Sequence, residues 1–343
     1  IGHHLMHRRE ISQPLFRRVI LESGATTSRA VWPANSKLHK IQFEEFLLET
    51  GCDAIAQDYV LPCLRSKPAR EIARASIAVF DRYDRSNRWA FQPVIDGEII
   101  GQAPIRAWES GQWLKVPILT GFNTDEGAPF SPPGLATSEE FNNFFTELIP
   151  GLPKTDLRKL NDLYPDPTVD PSSPYAETRP IRVGAQYKRT TAAYGQFAYI
   201  CPVQQTARFA SAGQKPPVFL YHWAVNKTVQ SGASHATQVE YEEYSPSVRR
   251  ISKTQDELAG FLHAYFTSFI TTGDPNSIKG KYGHRPYWKQ FFANQNDNVM
   301  VFGKGNDERA GGGSIGMSAE LGDTRWLHDE CTFWWERSIL TES

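Results

Sequence analysis

Long apolar runs are missing from this chain of 343 residues. No stretch approaches the roughly 18 consecutive apolar residues that a membrane-spanning helix needs. An excess of one charge is missing too: 37 Lys and Arg face 38 Asp and Glu. No basic stripe is dense enough to track a phosphate backbone, which argues against nucleic acid as a partner. There is no Walker A loop, no G-x-G-x-x-G fingerprint and no CxxC metal pair. Cysteine is scarce, and four of them in a chain of this size exclude a small disulfide scaffold. Composition leaves two readings of the four open: pairs in an oxidising compartment, or buried thiols in a reducing one. The start, Ile1-Gly2-His3-His4-Leu5, has neither the charged nor the apolar region of a secretory leader, and it is expected to continue a longer sequence.

What is present is material for a core. Hydrophobic residues make up 40% of the chain and aromatics 12%, enough for a large globular fold. Apolar, partly β-branched runs at Arg18–Leu21, Val116–Thr120 and Val218–Val225 predict buried strands, each followed by a turn-forming residue, and Val299–Phe302 predicts a last one. Helical patterns separate them, as a mostly parallel sheet requires. The clearest spans Asp256–Thr271, where Leu258, Phe261, Leu262, Tyr265, Phe266 and Phe269 form one stripe and Gly273 with Pro275 supplies the stop. Residues 130–174, rich in proline and polar groups around short apolar clusters, read as a cap packed over the sheet. Residues 310–316 read as a glycine-rich loop. No internal repeat is found.

Chemistry concentrates after the strands, where ligands of open α/β sheets bind. Gly121-Phe122-Asn123-Thr124-Asp125-Glu126-Gly127 puts two acids in one strand-end loop, and Gly232-Ala233-Ser234-His235 puts a histidine after the next strand. Taken singly, each is an ordinary surface feature. Together, an acid after one strand and a histidine after a later one follow the α/β-hydrolase order, in which a serine precedes both. Gly312-Gly313-Ser314-Ile315-Gly316 matches G-x-S-x-G formally. Ser314 is nonetheless set aside, because polar residues rather than a strand lead into it and it follows the acid and the histidine. His3 and His7 stand four apart on a possible helix, yet no nearby acid or cysteine completes a metal set, so none is expected there.

Several motifs then match in order. Leu15–Gly24 (LFRRVILESG) resembles the LFRRAILQSG segment of type-B carboxylesterases and cholinesterases, Pro93–Gly97 (PVIDG) their PVVDG turn, and Gly121–Gly127 their GxNxDEG loop. Gly273–Asn276 is similar to their TGDPN, and Cys331–Trp334 to their terminal CxFW. The resemblance covers essentially the whole chain. It implies the C-terminal part of an α/β-hydrolase fold, a mostly parallel sheet flanked by helices with cap insertions, in a single domain over residues 1–343. Glu126 becomes the acid and His235 the general base of a Ser-Glu-His triad, within hydrogen-bond reach of each other and with Asp125 turned elsewhere.

The resemblance also pairs Cys52 with Cys63 and Cys201 with Cys331, puts Trp32 and Phe130 in the acyl pocket, and puts Ser23 behind the acid. For both aromatics an ordinary core role is the alternative. With the possible glycosylation sequon Asn226-Lys227-Thr228, the cysteine pairs imply secretion. A small carboxylic ester is the implied substrate, with no cofactor and no metal. Two departures stand out. The family's nucleophile elbow and oxyanion loop fall before Ile1, so the chain by itself is expected to be inactive and to present its first strand as an open sheet edge. The family's HGxE becomes His235-Ala236-Thr237-Gln238, with Gln238 in place of a glutamate. The competing expectation is a non-catalytic esterase-like binding module or an inactive product.

Overall fold

The apolar runs pair side by side in the computed structural model, which describes residues 1–7, 12–228, 230–293, 297–308 and 317–341. Chain order is α1 (Gly2–Met6), β1 (Val19–Glu22), α2 (Lys37–Thr50), α3 (Gln57–Ser66), α4 (Ala69–Arg82), α5 (Pro104–Glu109) and β2 (Ile118–Asn123). There follow α6 (Ser138–Leu148), α7 (Lys154–Leu163), α8 (Tyr187–Gly195), a π-turn (Gln196–Ile200), α9 (Cys201–Gly213) and β3 (Val218–Trp223). The rest is α10 (Val239–Glu242), α11 (Pro246–Arg249), α12 (Lys253–Thr272), β4 (Asn298–Phe302), β5 (Ala319–Asp323) and α13 (His328–Trp335).

The strands form one five-stranded sheet in the order β1-β2-β3-β4-β5, with β1 at one edge. The first four run parallel and β5 is antiparallel to β4. Side chains alternate across the pleat. Ile118, Val218, Leu220, Val299 and Val301 point to one face, where Phe141, Phe144 and Phe145 of α6, Val203 and Ala207 of α9, and Phe333 and Trp334 of α13 cover them. Leu119, Phe219, Tyr221, Met300 and Phe302 point to the other, against Leu258, Leu262, Tyr265 and Phe269 of α12. Each such Leu or Phe, fully buried, contributes about 1.5–3 kcal/mol relative to exposure. The proline-rich stretch is a cap as read: its helices α6 and α7 close over the first face.

Two expected boundaries shift and one strand is added, each for an identifiable reason. Helix α12 begins before Asp256 because the Ser252 hydroxyl accepts from the Gln255 N–H at 3.1 Å, and it ends at Gly273, whose φ of 84° is the left-handed cap. Strand β2 runs through Gly121 instead of ending before it. A Cβ on Gly121 would stand 2.1 Å from the Tyr221 ring carbon, so the glycine admits that ring. Strand β5 escapes the sequence reading because only Ala319 of its residues is buried and β4 supplies its pairing. The Gly312–Gly316 motif, Ser314 included, lies outside the described residues.

Both cysteine pairs are disulfides, Cys52–Cys63 joining the C-terminal end of α2 to α3 and Cys201–Cys331 joining α9 to α13.

Candidate active site

The loops leaving β2 and β3 are laced together by their backbones. Thr124 N–H donates to Trp223 C=O at 3.0 Å and Asp125 N–H to Ala233 C=O at 2.9 Å. Asp125 spends its carboxylate on that lacing, accepting from Ala233 N–H at 2.9 Å, and so points away from the imidazole. Burial pushes its pKa up. Glu126 follows, fully buried; Oε1 accepts from Asn123 N–H at 2.7 Å and Oε2 lies 2.7 Å from His235 Nδ1. Behind the acid, α8 approaches so closely that a Cβ on Gly127 would stand 2.1 Å from the Thr191 carbonyl oxygen, and one on Gly195 would stand 2.7 Å from Gly127 N. Two glycines therefore fix the depth of the acid loop.

His235 is part-exposed at 31% and lines a cavity of about 400 Å³ together with Ser23, Ser28, Arg29, Phe130 and Tyr199. With Nδ1 held by Glu126, Nε2 is the ring nitrogen left for other partners. Phe130 and Tyr199 pack on the imidazole at ring-centroid distances of 5.4 Å and 4.8 Å. Tyr199 belongs to the π-turn between α8 and α9, a local widening of the helix that recurs at functional sites. Ala236, next in the chain, adopts φ 67°. That conformation suits glycine, which accounts for the HGxE spelling and leaves Ala236 strained.

Of the other residues singled out, Trp32 lies apart from the imidazole, lining an adjoining cavity of about 460 Å³, with Arg88 over its ring at 5.6 Å. Ser23 shares the wall of the His235 cavity with φ 47°, but its buried hydroxyl makes no hydrogen bond to Glu126 or to any other described residue. Gln238 accepts from Asn123 Nδ2–H at 2.9 Å and donates to Glu22 Oε2 at 3.3 Å. His3 lines the His235 cavity from α1, and among the described residues no three His, Cys, Asp or Glu side chains gather as a metal set. The nearby His222 is no rival base: burial, then the Lys304 charge, lower its pKa to about 4, and Nε2 meets the Thr124 hydroxyl at 2.7 Å.

Sequence reasoning missed Asn123, Arg29, Tyr199 and a second carboxyl pair beneath the site. Asn123 had a signal, the N of GxNxDEG; its side chain holds Gln238 and the Ser234 carbonyl, at 2.7 Å for the latter. The Glu242 carboxyl lies against Glu22. Burial, together with the hydrogen bond to Glu22 and its charge, holds Glu242 well above the usual carboxylate range. A carboxyl whose pKa is raised by folding binds its proton more tightly in the folded state. Stability is therefore complete below the unfolded value of 4.5 and is lost as pH rises towards the folded value. The limiting slope is about 1.4 kcal/mol per pH unit. We expect the urea midpoint of the protein to fall between about pH 5 and about pH 8 and that of Glu242→Gln to fall less. Parallel pH profiles for the two would refute the assignment.

The mostly parallel sheet with helices on both faces, and an acid and a histidine on adjacent strand-end loops, define an α/β-hydrolase fold. A solved structure, the crystal structure of Aspergillus niger EstA, superposes with a TM-score of 0.75 at 24% identity, covering 100% of this chain and 62% of that one. A family model described as "Carboxylesterase family" matches residues 2–315. The chain belongs to the carboxylesterase family. It is similar to secreted lipase 4 of Gibberella zeae, 30% identical over 344 residues, which are 98% of this chain and 57% of the lipase. It is also similar to neuroligin-3 of Mus musculus, 29% identical over 288 residues, 77% of this chain and 33% of that protein. The chain thus spans about half the length of the first curated relative and a third of the second.

Proposed function

We propose that this protein is an extracellular carboxylic-ester hydrolase, one α/β-hydrolase domain over residues 1–343, in which Glu126 and His235 are the acid and base of a Ser-Glu-His triad. The observation that carries the reading is the contact of 2.7 Å between fully buried Glu126 and His235 Nδ1, with the imidazole bordering a cavity of about 400 Å³. In that arrangement Nε2 takes the proton of the attacking serine and returns it to the leaving alcohol, while Glu126 holds the tautomer and stabilises the imidazolium. This chemistry needs neither a metal nor an organic cofactor.

By the resemblance the nucleophile precedes Ile1, and the second reading is a non-catalytic esterase-like binding module in which Glu126 and His235 carry out no chemistry. Labelling by a fluorophosphonate, read beside hydrolysis of p-nitrophenyl butyrate, decides between them. The expected result is no serine-dependent turnover by the 343-residue chain. Turnover and labelling should appear once an elbow segment is joined ahead of Ile1, and His235→Gln should abolish the turnover. An extended protein that is folded yet stays silent overturns the esterase reading and leaves the binding module. Turnover by the chain alone, lost in Ser314→Ala, makes Ser314 the nucleophile.

A further inference from the structure

Among the described residues Arg29 has no acidic partner. It lies in the loop after β1, and its guanidinium carbon stands 4.2 Å from the Trp89 ring centroid, 5.8 Å from that of Tyr199 and 6.0 Å from that of Phe130. Nη2 donates to the Tyr199 hydroxyl at 2.8 Å. Aromatic faces and one phenol hold it, and among the described residues no carboxylate pairs with it. A partly enclosed cation is ordinarily met by an anion, because neutral groups replace only part of its hydration. Stacked on aromatics, a guanidinium keeps its in-plane N–H groups free for a planar carboxylate.

Its position gives that spare capacity a use. Arg29 lines both the cavity of His235 and the adjoining cavity of about 460 Å³, whose other walls include Leu148, Ile149, Phe197 and Leu340. One side chain bridges the cation and the imidazole: the Tyr199 hydroxyl is on Arg29 at 2.8 Å, and its ring is 4.8 Å from the His235 ring. A ligand reaching from the imidazole to the guanidinium therefore spans about one tyrosine side chain, a short distance for an acyl chain.

We propose that the cavity binds esters whose non-reacting end is a carboxylate, short dicarboxylic half-esters, with Arg29 receiving that carboxylate. That such an ester is turned over rests on the esterase reading, but its binding does not require turnover. Nothing in the aromatic lining alone would discriminate a half-ester from its neutral amide, which has nearly the same shape; a charge-assisted pair with Arg29 would.

Monomethyl glutarate and its neutral ω-amide are the probes, with binding followed by calorimetry and by the fluorescence of Trp89 beneath the guanidinium. The half-ester is expected to bind about 10- to 100-fold more tightly than the amide at neutral pH. Arg29→Gln should erase that preference and Arg29→Lys should retain part of it, while amide binding stays the same in all three proteins and so reports an intact cavity. Equal binding of the two probes, a preference that survives in Arg29→Gln, or binding of neither probe would overturn the inference. A protein that prefers the half-ester yet hydrolyses no ester would leave the inference standing and sink the esterase reading alone.

Discussion

Replacing Cys201 and Cys331 together by alanine is expected to lower unfolding stability by about 4–5 kcal/mol, the largest stability change foreseen for any pair of side chains here. The bond closes a loop of sequence separation 130, so without it the unfolded chain recovers the freedom of more than a third of its length. Both sulfurs are fully buried, and the bond fastens α13 to the first turn of α9, next to the π-turn that carries Tyr199. Loss should therefore reach the site as well as the global midpoint. Cys52–Cys63, with a separation of only 11, offers the internal comparison; its double alanine variant should lose about 3 kcal/mol or less on the same chain-entropy reasoning. Urea titrations of the two variants under non-reducing conditions make the measurement. A smaller loss for the long loop than for the short one would mean that residual structure in the unfolded chain, and not loop entropy, governs this protein.

Signals that are local in the chain were legible, and those made by distant pairs were not. Strand runs such as Val218–Trp223 and the α12 stripe announce themselves because a buried face must repeat with the period of its own element. The acid and the histidine were legible for a related reason: each lies in the loop that follows a strand, and the parallel order of β2 and β3 brings those loops together. Arg29 and Tyr199, 170 residues apart, meet only through the fold, and Tyr199 looks like any aromatic in an apolar helix until the π-turn swings it towards His235. The pair of Glu22 and Gln238 is intermediate. Gln238 was visible as a departure within the HGxE motif, whereas Glu22 was read only as part of the LFRRVILESG segment. Only their contact across 216 residues makes them one feature, with Gln238 donating to a carboxylate at the end of β1. Glu242 is buried and close to the Glu22 carboxyl, which is why a glutamate in an unremarked stretch is held protonated.

Replacing Glu126 by glutamine is expected to lower kcat for ester hydrolysis by about 10⁴-fold with little change in fold, in a form of the protein that is active on the proposed reading. The amide matches the carboxylate in shape and keeps the contact with His235 Nδ1, but it carries no charge to offset the imidazolium. By presenting N–H₂ to Nδ1 it also favours the tautomer with Nε2 protonated, which cannot accept the serine proton. Asp125→Asn is the control that separates charge from position. Asp125 is adjacent in sequence, half-buried and also a carboxylic acid, yet its oxygen serves the Ala233 N–H and not the imidazole. Its substitution should cost stability through the lacing of the two loops and cost kcat far less. The proton NMR signal of Nδ1–H, shifted far downfield by a short hydrogen bond to a carboxylate, gives a readout that a purely structural role would leave in place. It should vanish in Glu126→Gln and persist in Asp125→Asn. If instead the two variants lose activity equally, or the downfield proton survives the loss of the Glu126 charge, then the 2.7 Å contact holds a loop together and does not tune a base.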